Sequence, residues 1–286
     1  MAFGTKFIAA ACLLSSGASA PASVSDEVGS GSGQWILTSS YSTNFSTIDE
    51  KWSPDVGCVD CSAKNPDECT MDFTSGLAEG SITDGTGLTI TTTRKDDTFD
   101  YCTEYSDDDT AVQAGGSSGK LTSLFYVDFG TIRVKSKYFP TDGAGDEIAT
   151  AKGFVGLEDS SSGAITITIH GDGADPSGAP KNADWTKYMQ SSIYQHGDDH
   201  NKEFTSLDKA VDTVADEFNW YEIAWSSDSV KISVNDVLVR EVTDSDLIPQ
   251  SPLQVQIHSR SIAYSEMPDG SKFKSYIEEF QFEPAR

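Results

Sequence analysis

The chain has 286 residues and a formal net charge of −25, from 45 acidic against 20 basic side chains. A surface of that sign repels nucleic acid and anionic lipid, so neither is an expected partner. The acids are scattered apart from a short run at Asp107, Asp108 and Asp109, as on an ordinary solvated surface.

The N-terminus reads as a secretory signal over residues 1–20. Lys6 supplies the charge, Phe7 to Leu14 the short apolar run, and Ala18-Ser19-Ala20 the small cleavage residues. That run is too short to span a bilayer. Residues 21–33, rich in Gly, Ser and other small residues, predict a flexible linker. Residues 34–286 show no composition break or repeat and are expected to form one domain, monomeric and secreted to the extracellular space or cell wall. The polar C-terminal residues carry no signal for a lipid anchor.

Asn44 in "TNFS" is a glycosylation acceptor. Cys12 leaves with the signal, so Cys58, Cys61, Cys69 and Cys102 remain. An even count in a secreted chain predicts two disulfides, with three connectivities open. "CVDC" lacks the βαβ context of a redox motif and has no nearby histidine.

Further along, β-branched and aromatic residues alternate in "GLTITTTRK", "GTIRVKSKYF", "KGFVGLE", "AITITIH", "YEIAWS", "SVKISVN", "VLVREV", "LQVQIHS" and "YIEEFQFE". Turn chemistry separates them, and "VNDV" has the form of a tight hairpin. Short helices are expected at most near "NADWTKYM" and "LDKAVDTVADEF". Many strands and few helices predict an all-β, two-sheet sandwich of jelly-roll type.

In "GAITITIHG", Ile165, Ile167 and Ile169 share one parity, while Ala164, Thr166, Thr168 and His170 share the other. The isoleucines suit a core, and so do Leu253, Val255 and Ile257 of "LQVQIHS". The opposite face is short and uncharged.

The order of "STIDEKWSPDVG", "LFYVDFGTIRVKSK", "KGFVGLED", "AITITIHG", "WYEIAWSSDSVKISVNDVLVRE" and "SYIEEFQF" resembles glycoside hydrolase family 16, the concanavalin A-like β-glucanases. Within it, fungal glucan–chitin transglycosylases are the nearest in character. The resemblance spans residues 52–282. It implies β-glucan or chitin oligosaccharide as partner, no cofactor, and a central strand carrying Glu-x-Asp-x-Glu. Aligned on Gly171, that motif falls on Ala164 (nucleophile), Thr166 (assisting Asp) and Thr168 (acid/base), so all three carboxylates are replaced. Retaining chemistry needs two carboxyl groups about 5–5.5 Å apart, and alanine and threonine supply neither. Asp146 and Glu147 in "GDEIAT" are the nearest echo of the motif, in a loop; Glu158 and Asp159 read as acids in a solvated turn at a strand end. Family aromatics that stack on sugars fall on Val155, Ile232 or Ser233, and His258.

The resemblance also makes "AITITIH" and "LQVQIHS" close neighbours. Thr166, Thr168, His170, Gln254, Gln256 and His258 would then face outward, as a polar groove for sugar hydroxyls or as a plain solvated face. His196 and His200 lack the helix that would join them on a metal, and no metal site is expected; a structural calcium on loop acids such as "GDGAD" stays open. Three functions follow: a non-catalytic carbohydrate-binding wall protein, a glycosidase or transglycosylase using displaced acids, or a structural protein without sugar affinity.

Overall fold

Strict alternation of buried and half-exposed residues builds the sandwich. From Gly130 to Tyr138, Ile132, Val134, Ser136 and Tyr138 turn inward, while Arg133, Lys135 and Lys137 lie on the outer face. In the computed structural model the described residues are 35–54, 58–59, 71–72, 87–94, 116–117, 119–138, 151–159, 161–170, 187–195, 201–207, 209–211, 214–215, 217–261 and 272–286. Their strands are β1 (Tyr41–Thr43), β2 (Trp52–Pro54), β3 (Cys58–Val59), β4 (Met71–Asp72), β5 (Leu88–Arg94), β6 (Gly116–Ser117), β7 (Lys120–Val127), β8 (Gly130–Tyr138) and β9 (Ala151–Asp159). They continue as β10 (Gly163–His170), β11 (Tyr188–Gln195), β12 (Asn201–Ser206), β13 (Asn219–Trp225), β14 (Val230–Val234), β15 (Val237–Val242), β16 (Leu253–Ser261) and β17 (Lys272–Pro284).

Two sheets result, as an all-β jelly roll requires. One runs β12-β11-β10-β9-β16-β7-β2; the other runs β15-β14-β13-β8-β17-β5-β6-β4-β3, with β1 also on β17. Ile165, Ile167 and Ile169 of β10 and Leu253, Val255 and Ile257 of β16 are all buried between the sheets. They meet Ile132, Val134, Tyr221, Ile223, Phe280 and Phe282 in one core. Each such side chain contributes roughly 1.5–3 kcal/mol when fully buried. The hairpin at "VNDV" forms with Asn235 and Asp236 at φ of 48° and 63°, as a primed turn requires. The Asn235 side chain fixes it, accepting from the Trp220 amide at 2.9 Å and donating to the Ala210 carbonyl at 2.9 Å.

The helix expected near "LDKAVDTVADEF" does not form among the described residues. In "LDKAVDTVADEF" the described backbone turns at Lys209–Ala210, where the Ala210 and Val211 amides both donate to the Leu207 carbonyl, and again at Val214–Ala215. The carbonyl of Val214 is then taken by the Tyr138 amide at 3.0 Å, so an acceptor that a helix would use internally serves β8. The helical spacing of Leu207, Val211 and Val214 is real, but it serves only to bury those side chains. In "NADWTKYM", Lys187 has 3-10 helical geometry, Tyr188 and Met189 open β11, and residues 182–186, on which the expected short helix rests, lie outside the described set.

A buried arginine ties the sheets together at one edge. Arg240 of β15 donates to the Ser191 carbonyl at 3.0 Å, to Ser191 Oγ at 2.6 Å and to Asn201 Oδ1 at 3.0 Å. Its Nε lies 3.0 Å from Glu203. Burial pushes its pKa down and Glu203 pulls it back up. Removing the guanidinium strands buried acceptors on β11, because hydrogen bonds to charged groups contribute about 1.5–3 kcal/mol each. Arg240→Ala is expected to lower unfolding free energy by about 2–4 kcal/mol in urea denaturation. A change below about 0.5 kcal/mol, the usual range of a surface substitution, would contradict this role.

Candidate functional site

β10 lies in the middle of its sheet, between β9 and β11. Because its isoleucines are fixed in the core, its other parity is committed to the open side of the sheet. Register then aligns that side into rows across the strands. In the first row stand Tyr126 (β7), Gln254 (β16), Glu158 (β9), Ala164 (β10) and Tyr194 (β11). The second holds Thr122, Gln256, Gly156, Thr166, Ser192 and Lys202. In the third are Lys120, His258, Phe154, Thr168, Gln190 and Phe204. Successive rows are about 7 Å apart at the usual rise per residue.

The structure brings Thr166, Thr168, His170, Gln254, Gln256 and His258 onto this one face. It is not an evenly solvated face, however. Thr166 is 6% exposed, His170 0% and His258 9%, while Thr168, Gln254 and Gln256 are half-buried. His170 Nε2 lies 3.0 Å from Gln190 Oε1, and its ring packs against Phe204 with centroids 5.9 Å apart. His258 stacks on Phe154 at 4.2 Å and 14°. His170 is bonded to Gln190, His258 is stacked on Phe154 and Thr166 is buried, so the outward, solvent-facing arrangement expected from alternation is corrected for Thr166, His170 and His258. Val155 and Ile232 face the core, and Ser233 is buried on β14 of the other sheet, so none of the three can serve as a ring platform here.

The middle of the second row carries no side chain at Gly156. A Cβ on Gly156 would lie 2.9 Å from Thr166 Cγ2 and 3.0 Å from the Ile165 carbonyl, so only glycine fits beside Thr166. Gln254 Nε2 donates to the Ser123 carbonyl at 2.9 Å, which holds the amide in the first row. Ser123 Oγ accepts from the Val255 amide at 2.9 Å, at the register shift between β16 and β7.

Two side chains in this groove were not expected from the sequence. Glu158 does lie at the end of a strand, β9, but it stands beside Ala164 rather than in a solvated turn. Tyr194 flanks Ala164 from the other side. Burial pushes the Tyr194 phenol pKa up, and the nearby Glu158 carboxylate raises it further. A signal was available, since Val155 and Leu157 are the apolar parity of "KGFVGLED" and place Glu158 opposite them. Asp159 does close the turn, accepting from the Ser161 amide at 2.9 Å.

Asp146, Glu147, Cys61, Cys69, Cys102, His196, His200 and the "GDGAD" loop lie outside the described residues, and of Cys58 only the backbone in β3 is described. Among the described residues no three His, Cys, Asp or Glu side chains gather as a metal site, and no helix is long and apolar enough to cross a membrane. Asn44 is exposed.

The profile of glycosyl hydrolases family 16 matches residues 69–274. No curated protein matches the sequence significantly. Among solved structures, LamAcat from Zobellia galactanivorans aligns with a TM-score of 0.63 at 16% identity, over 85% of this chain and 96% of that one. A prokaryotic β-1,3-1,4-glucanase (lichenase) from a mouse hindgut metagenome aligns at 0.61 and 13% identity, over 86% of this chain and 100% of its own. The Crh5 transglycosylase in complex with NAG aligns at 0.56 and 16% identity, over 87% and 85%. At these identities the alignments speak for the fold.

The stack at His258 sets a testable limit. A larger ring there has no room to act as a platform, because the site is buried and already filled by Phe154. His258→Trp is expected to destabilise the fold by about 1–3 kcal/mol through overpacking, with no gain in oligosaccharide affinity. Unchanged stability in urea together with tighter binding would show instead that position 258 opens to ligand.

Proposed function

The chain belongs to glycosyl hydrolase family 16, and from that membership we propose that it is a secreted, wall-associated protein that holds β-glucan or chitin oligosaccharides in the β10 groove without cleaving them. The observation that carries this reading is the first row of the groove, where a single carboxylate, Glu158, stands beside Ala164. Double displacement at an anomeric carbon needs one carboxyl group as nucleophile and another as acid, about 5–5.5 Å apart. Among the described residues of these rows Glu158 has no second carboxylate to work with. Thr166 and Thr168 cannot replace it, since a hydroxyl is neither an acid nor an unaided nucleophile near neutral pH.

Binding remains chemically available. Half-buried Thr168, Gln190, Tyr194, Gln254, Gln256 and Phe154 offer hydroxyl, amide and ring surface across the face. Similar folds carry oligosaccharide in solved complexes, including a family member from Bacteroides ovatus with a mixed-linkage glucan product. Each hydrogen bond to a neutral hydroxyl contributes about 0.5–1.5 kcal/mol net. Affinity for a short oligosaccharide is therefore expected between millimolar and tens of micromolar.

A second reading has one observation in its favour. Glu158 leaves an acid in the cleft, and with a displaced partner such as Glu147 it would restore an active glycosidase or transglycosylase. Incubating the purified protein with laminarin, mixed-linkage glucan and chitin oligomers separates the two. No new reducing ends and no transfer products are expected. Turnover abolished by Glu158→Gln or Glu147→Gln would sink the binding reading in favour of the active one. Failure to bind any of the oligomers would leave a structural role without sugar affinity.

A further inference from the structure

The first row of the groove is made of acceptors flanked by rings. Glu158 presents a carboxylate, and no lysine, arginine or histidine among the described residues pairs with it. Next to it, Gln254 gives one of its two amide hydrogens to the Ser123 carbonyl, which holds the side chain in place, and its carbonyl oxygen is an acceptor it can offer a ligand. Tyr194 flanks the carboxylate across the small Ala164, and Tyr126 flanks Gln254 on the other side. The basic positions that the register places on this face, Lys120, Lys152, Lys202 and Arg260, all stand in other rows, on β7, β9, β12 and β16.

A neutral sugar hydroxyl offers such a row one donor. A protonated amine offers three, together with a positive charge that carboxylate and aromatic faces both attract. The whole-chain charge of −25 draws the same kind of ligand toward the protein. We infer that the Glu158–Gln254 end of the groove recognises a free amino group on a pyranose, so that the favoured ligand is a β-linked oligosaccharide containing glucosamine units rather than glucose or N-acetylglucosamine alone. This deepens the carbohydrate-binding reading and rests on it. Acetylation removes both the charge and two of the three donors, so the acetylated unit loses what this row is built to accept.

The test is calorimetric titration of the full-length protein with β-1,4 tetramers of glucosamine, N-acetylglucosamine and glucose, at low salt and with the amine protonated. A short aliphatic diamine serves as a cation without a sugar. The glucosamine tetramer is expected to bind about tenfold more tightly than the other two, a difference of about 1.4 kcal/mol. That advantage should shrink as salt is raised, and the diamine alone should not bind. In Glu158→Gln, an isosteric change, the ratio between glucosamine and acetylated tetramers should collapse toward one. Neutral tetramers binding as well as the cationic one, or a preference that survives in Glu158→Gln, would overturn the inference while leaving the carbohydrate reading standing. A diamine that binds as tightly as the glucosamine tetramer would also overturn it, since the amine would then be read without the pyranose. Absence of binding by every tetramer would overturn both.

Discussion

Everything on the groove depends on the anchoring of one face of β10. Ile165, Ile167 and Ile169 are each at most 1% exposed, and each pairs in register with inward positions of β9 and β11. A slip of one residue would carry all three into the groove and bring Ala164, Thr166 and Thr168 into the core. Losing three buried isoleucines would cost about 5–9 kcal/mol, comparable to the whole stability of an ordinary domain. Gly163 helps to set the start of that register. Its φ of +127° suits glycine, and a Cβ there would come within 2.3 Å of the Tyr194 carbonyl. The hydrophobic effect thus fixes, through backbone pairing, which side chains a ligand can meet.

With the register set, the chemistry of the groove follows from side chains that no single strand reveals. Glu158, Ala164 and Tyr194 are distant in sequence or of opposite character, yet they stand shoulder to shoulder across three strands. Strand spacing of about 4.8 Å makes their neighbourhood close enough for a carboxylate to reach over alanine toward the phenol. The same lateral packing consumes polarity elsewhere on the face. His170 is tied to Gln190, and His258 lies flat on Phe154. The groove is therefore acidic and open to hydrogen bonding at one end, and closed by its own contacts toward the other. At the edge of the sandwich Arg240 joins β15 to β11 and β12 and holds the outer strands of both sheets in place.

Much of this was legible in the sequence, and for a physical reason. Period-two alternation reports burial directly, so the strands, the isoleucine core face and the two-sheet architecture could be read from residues such as Ile165 and Val255. The Asn235-Asp236 turn announced itself through residues that tolerate positive φ. Side-chain parity was equally readable, but Glu158 adjoins Asp159 and a serine run, and turn composition outweighed the alternation set by Val155 and Leu157. The apparent helix at Leu207 was a failure of another kind. Helical spacing of apolar residues was satisfied by turns among the described residues, with the Val214 carbonyl taken by the Tyr138 amide. Solvent exposure of His170 and His258 was beyond any pattern, since their burial comes from Phe204, Gln190 and Phe154 on neighbouring strands. The cysteine pairing proposed from the even count concerns residues that lie outside the described set or, for Cys58, a backbone alone.

The central claim is that the β10 face is a ligand groove that retains binding after losing the paired carboxylates of its family. The most direct measurement is a backbone amide shift titration of the isotope-labelled protein with short β-glucan and chitin oligomers, followed by mass analysis of the recovered sugar. The account predicts saturable shifts concentrated at Glu158, Thr168, Gln190, Tyr194 and Gln254, and an oligosaccharide recovered at its original length. Shifts confined to other surfaces, or a shortened or extended oligosaccharide, would contradict it.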